Sequence, residues 1–229
     1  MPLPAQLIHG SRQADILSRS RSDREGVITI ATTTMPGVTY SMSRIRISEP
    51  PIATFLFADT RTAWFWAILR IWVGWQWLHA GIGKVGSPAW TGENAGAAVA
   101  GFVRGALQKT AGDHPDVHQA YASFLENFVL PNASLFSHLV AWGEVLVGVA
   151  LILGVLTGIA AFFGGFMNAN FLLAGTVSSN PILFIFATWL VLAWRVAGWW
   201  GADRWLLPLL GTPWEPGPVF RKEKGDGNE

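Results

Sequence analysis

Few residues of this 229-residue chain could do chemistry in an apolar setting, and the first of them is Glu144. It stands inside an otherwise apolar stretch, Leu135–Leu153, in the run GEVLVGVALILG. Asn168 and Asn170 stand inside the next apolar stretch, Leu156–Val177, in GGFMNANFLLAG. His79 lies with Arg70 and Gln76 in an earlier, aromatic-rich stretch, Thr62–Gly83, which Lys84 closes. A carboxylate at the centre of a membrane span costs on the order of 3 kcal/mol on insertion scales, so it marks a functional site by default. A buried carboxylate near an imidazole is suited to proton relay. Each residue also has a structural reading. Glu144 could be a protonated or hydrogen-bonded packing group, and the amides could be interhelical glue. His79 could snorkel to the interface, and Arg70 and Arg195 could be structural or face lipid phosphates.

The elements that must position these groups follow from the apolar pattern. A bilayer requires roughly 20 apolar residues per helix, which gives four spans: Thr62–Gly83, Leu135–Leu153, Leu156–Val177 and Ile182–Trp200. The short GVLTG join between the second and third forces a helical hairpin, since free backbone groups find no water inside a membrane. The expected fold class is therefore an all-α membrane protein, a four-transmembrane-helix bundle. Two short amphipathic helices, Ala95–Lys109 and Val117–Phe128, fall in the extracytoplasmic loop between helices 1 and 2. Residues 1–60 read as a mobile cytoplasmic N-terminal tail in which VITIATT (Val27–Thr33) is a strand without a nearby partner. Residues 61–200 form the membrane domain, and residues 201–229 an irregular cytoplasmic tail. Nothing near the N-terminus has the apolar core of a signal peptide, and Met42 is a second candidate start. Arg44, Arg46 and Arg61 before the first span, and Arg204, Arg221, Lys222 and Lys224 after the fourth, place both termini in the cytoplasm of a multi-pass cell-membrane protein.

Composition removes other classes. The chain is 51% apolar and 14% charged, with 13 Trp and a mean hydropathy of +0.34, as a membrane protein with short soluble parts would be. A formal charge of +1 excludes a polybasic nucleic-acid binder. The absence of Cys excludes thiol–disulfide exchange, thiolate metal sites and cysteine nucleophiles. No phosphate loop and no metal, haem or flavin motif is visible.

Depth and helical phase give different neighbours for Glu144. At about 1.5 Å per residue, Glu144 lies about 13 Å below the outer surface, His79 about 7 Å and the two Asn about 9–12 Å, which favours a His79–Glu144–Asn168/Asn170 layer. Phase instead puts Arg70, Gly74, Trp77, Gly81 and Lys84 on one face of the first span and His79 on the opposite side. Most Trp residues read as interfacial anchors, while Trp75 and Trp77 near His79 could stack on a planar ligand.

Several pieces together resemble the DoxX/DoxD family of four-span bacterial and archaeal membrane proteins. They are LRIWVGWQWLHAGIGKV, the WTG at Trp90–Gly92, FLENFVLPN, GEVLVGVALILGVLTGIAA and FMNANFLLAGTVSSNP. The DoxD branch implies the membrane subunit of a thiosulfate:quinone oxidoreductase, which oxidises thiosulfate to tetrathionate and passes electrons to quinone beside a DoxA-type soluble segment. Other branches are associated with redox-complex assembly. On the enzyme reading, Glu144 and His79 are catalytic, and Trp75, Trp77, Asn168 and Asn170 bind quinone. Lys84, Arg104 and Lys109 meet the thiosulfate dianion. The alternative is a non-catalytic accessory membrane subunit of a larger respiratory or photosynthetic redox complex; a small-solute transporter is a third reading. Partners are then the bilayer and other redox subunits.

Overall fold

The computed structural model describes residues 29–35, 38–44 and 49–211. The chain divides into two units, one ending at Pro51 and the other starting at Ile52. In the first, β1 (Thr29–Met35) and β2 (Val38–Arg44) form an antiparallel hairpin, with Met35 opposite Val38 and Thr29 opposite Arg44. This corrects the expectation of an unpartnered strand. Thr, Val and Tyr favour extended backbone, and the partner is simply the next segment.

The second unit is helical. Its first helix, α1 (Pro51–Ala58), is joined to α2 (Ala63–Val85) by a turn in which Asp59 accepts from the Arg61 backbone N–H and guanidinium. The Trp66 indole donates to the Leu56 carbonyl at 2.8 Å and ties the two helices together. Next come α3 (Ala97–Leu107) and α4 (Gln119–Phe124), the latter continuing through a π turn at Leu125–Val129. They stand close to the two short helices expected in the loop. Long helix α5 (Ala133–Leu153) follows, then α6 (Thr157–Leu173) and α7 (Asn180–Leu192). Two short helices, α8 (Trp194–Ala197) and α9 (Asp203–Leu210), end the described chain.

Two of these findings depart from the sequence reading. The stretch Ile182–Trp200 is not one helix. It breaks at Ala193, and beyond the break the Ala197 and Trp200 carbonyls accept from the Arg70 guanidinium. The tail beyond residue 200, expected to be irregular, contains α9, whose first residue, Asp203, is buried against the α5–α6 turn. Among the described residues, α5 alone is both long and apolar enough to cross a membrane; α6 and α7 are apolar but have 17 and 13 residues.

Helix α2 packs most extensively on α5, and α6 on α7. The first contact is set by glycine. A Cβ on Gly148 would stand 2.5 Å from the Leu78 backbone nitrogen, and one on Gly81 would stand 2.7 Å from that of Val145. Only Gly lets the backbones approach so closely, which is how membrane helices associate. The core beneath contains Val73, Trp77, Val147, Leu151, Ala161 and Leu190. A second cluster, with Val103, Val117, Leu125 and Ala174, fastens α3 and α4 over the end where α6 finishes. The outward faces are apolar as well: Ile68, Trp75, Leu139, Leu146 and Phe166 are each more than half exposed. Such a surface is an aggregation hazard in water and the normal exterior of a protein in lipid.

Candidate functional site

Glu144 sits midway along α5 with 1% of its surface exposed. It does not meet His79. The Lys84 ammonium donates to Glu144 Oε2 at 2.6 Å, and the Trp90 ring lies 5.3 Å from that nitrogen as a cation–π lid. The expected His79–Glu144 contact fails for the reason phase gives. His79 is exposed on the outer side of α2, its ring stacked on Trp75 at 6.2 Å. Lys84 lies three residues beyond Gly81, the residue that packs on Glu144, and helix side chains lean toward the N-terminus. Its long stem therefore reaches back to the carboxylate. Breaking a buried pair of this kind by removing one partner costs about 3–5 kcal/mol, because the other charge is stranded. One proton moved along the 2.6 Å bond would neutralise both groups and leave the pair's proton count unchanged.

The remaining expected site residues fall into separate places. Trp77 is 3% exposed and Asn168 fully buried; neither the indole N–H nor either amide atom has a hydrogen-bond partner within the protein. Each such buried group costs roughly 1–3 kcal/mol. Asn170 is two residues further along α6 and faces elsewhere. Its amide donates to Phe166 O, and its Oδ1 accepts from the Tyr121 hydroxyl at 3.0 Å. Burial pushes the Tyr121 phenol up to about 12. Trp75 points outward with His79. Of the three cations, Lys84 is paired with Glu144, Lys109 donates to Gly175 O at 2.6 Å, and Arg104 is exposed on α3. Arg195 is half-buried in α8.

Beside the Lys84–Glu144 layer runs an apolar cavity of about 590 Å³. It begins under Trp90, Phe102 and Tyr121 and follows the α5–α6 groove past Gly143 to Val155 and Leu156. Leu146, Ile159 and Phe163 on its rim are more than half exposed, so it opens sideways. Asn170 and Tyr121 supply its polar end. Tyr121 was not singled out from sequence, and its only signal was a phenol within a predicted amphipathic helix.

At the opposite end of α5, Arg70 is 1% exposed and holds three segments. Its guanidinium donates to Leu151 O, to Ile152 O at 2.8 Å, to Ala197 O at 3.1 Å and to Trp200 O at 3.2 Å. Asp203, 2% exposed, accepts from the Leu156 and Thr157 N–H groups at 2.6 and 2.8 Å and caps α6. These groups close helix ends. Sequence reasoning missed Asp203, because the N–H groups it caps lie more than forty residues upstream.

An apolar exterior, glycine-mediated helix contacts and a buried ion pair define a helical membrane protein. The DoxX family model matches residues 65–176. The chain carries a DoxX domain over that segment. No curated protein and no solved structure matches it. Lys84, Glu144, Asn168 and the α5–α6 groove all lie within the matched segment.

Proposed function

We propose that this DoxX protein is a multi-pass subunit of a quinone-linked redox system in the cell membrane, with thiosulfate as its candidate electron donor. In this reading α2, α5, α6 and the α7–α8 segment cross the bilayer, and both termini are cytoplasmic. The observation that carries it is the 590 Å³ groove, apolar along its length and open to the side. A polyprenyl chain fits such a groove. A quinone ring at its upper end would meet the Tyr121–Asn170 pair, where a quinone carbonyl would replace Asn170 as acceptor of the Tyr121 hydroxyl proton. Two-electron reduction of a quinone takes up two protons, and the Lys84–Glu144 pair in the neighbouring layer could pass on one at a time, each replaced from the aqueous side. Arg104 offers an exposed cation for a dianion on the face covered by α3. A second cavity, of about 410 Å³, lies between α2 and α7 and is lined by Trp64, Ile68, Trp72 and Phe186. It favours the second reading, an accessory subunit that packs against a larger complex.

The test begins with protein purified from its own membranes. Extracted lipid should contain quinone in near-equimolar amount, and Gly143→Trp, which fills the groove, should remove it. Glu144→Gln should insert normally yet lower thiosulfate-dependent quinone reduction about 100-fold or more, the range for a lost proton-transfer group. Phospholipid alone in the groove, together with full activity of Glu144→Gln in the native complex, would reject the quinone reading in favour of the accessory subunit.

A further inference from the structure

The polar atoms between α2 and α6 are unused by the groove. Trp77 on α2 turns its indole N–H toward α6, where the position of a Cβ on Gly164 would lie 3.0 Å from that nitrogen. Asn168 follows Gly164 by one turn on the same face, and its side chain leans back toward Gly164. Two donors and an acceptor are thus buried on the facing sides of α2 and α6 with no protein partner: the Trp77 N–H, the Asn168 amide N–H and the Asn168 Oδ1. Gly81, one turn after Trp77, packs on Glu144 with a Cβ-to-Cβ distance of 3.0 Å were it alanine. Glu144 is thus packed on the α2 face that carries Trp77 one turn earlier. Val147 stands between Gly164 and the groove, lining the groove while its Cγ1 lies 3.2 Å from the Gly164 Cβ position.

We infer that Trp77 and Asn168 form an internal hydration site, holding one or two water molecules between α2 and α6. The ligand must accept from two N–H groups and donate to an amide oxygen, and water has that capacity on the smallest volume. The inference goes beyond the quinone reading and does not depend on it.

The experiment measures thermal stability in detergent and the environment of the Trp77 indole, not turnover. Asn168→Leu should lower the Tm by several degrees, on the order of 2–8 °C, because it strands the Trp77 N–H and expels the water. Gly164→Ala should do the same by filling the approach, whereas Gly164→Ser, with nearly the same bulk, offers a hydroxyl in place of the water and should retain more of the Tm. The Trp77 indole N–H, assigned as the resonance lost in Trp77→Phe, should show an exchange cross-peak to water in detergent micelles. Asn168→Leu or Gly164→Ala as stable as wild type, equal losses in Gly164→Ala and Gly164→Ser, or an indole signal without a water cross-peak would each overturn the inference.

Discussion

Replacing Arg70 by Met keeps a long apolar stem and removes every donor. Four carbonyls lose their partner, and the bonds to Leu151 O and Ala197 O are fully buried. A hydrogen bond from a charged group contributes about 1.5–3 kcal/mol, so the two buried bonds alone put the loss near 4 kcal/mol. For a protein of this size that is a Tm decrease of roughly 8–16 °C. Arg70→Lys, which keeps the charge but can reach fewer carbonyls, should fall between the two. The Asp203 carboxylate lies within electrostatic reach of Arg70, so Arg70→Met and Asp203→Asn should be non-additive, with a coupling of about 1 kcal/mol in a double-mutant cycle. Thermal unfolding of the detergent-solubilised variants, followed by tryptophan fluorescence, gives all four corners. If Arg70→Met unfolds within about 3 °C of wild type yet loses activity, Arg70 acts on a ligand and the fastening argument fails.

Gly148→Ala would bring a Cβ to 2.5 Å from the Leu78 nitrogen and should cost about 3 kcal/mol, while Gly101→Ala, which meets nothing within 4 Å, should be neutral or stabilising in the same melt. Tyr121 ionises near 10 when unfolded and at about 12 when folded. Its contribution to stability is thus complete below pH 10 and is lost as the pH rises toward 12, a decline that Tyr121→Phe should lack. Because the chain contains no Cys, single Ser41→Cys and Ser123→Cys variants can be labelled cleanly with an impermeant thiol reagent in intact cells. The proposed topology requires labelling from opposite sides, and labelling from one side would refute it.

How far the sequence carried this reading depends on the distance between partners. The inner face of α2 was legible because 3.6-residue periodicity is local: Arg70, Gly74, Trp77 and Gly81 are all buried as that phase requires. The hairpin of α5 and α6 was legible from its apolar lengths and the glycine after Leu153, which ends α5 in the left-handed conformation that Gly adopts at little cost. Glu144 was legible as a buried carboxylate, but its partner was not. Depth alone favoured His79, while rotation and the reach of a lysine stem selected Lys84. The α7 sequence announced neither the break at Ala193 nor the guanidinium on α2 that takes up the Ala197 carbonyl beyond it. Nor does anything around Asp203 announce that it caps a distant helix.

Asp203 has a consequence for how the protein is made. The turn between α5 and α6 holds Leu156 at a φ of 46°, a conformation that a branched side chain disfavours, and the adjacent N–H groups find their acceptor only in Asp203. A ribosome that has just delivered α6 leaves that turn without its clamp. It closes once the chain has been extended past α7 and α8, so the hairpin is completed by a segment made well after it. Termination before residue 203 would release helices with all their apolar residues and an unfinished turn, a state that membrane quality-control proteases could distinguish from the finished protein.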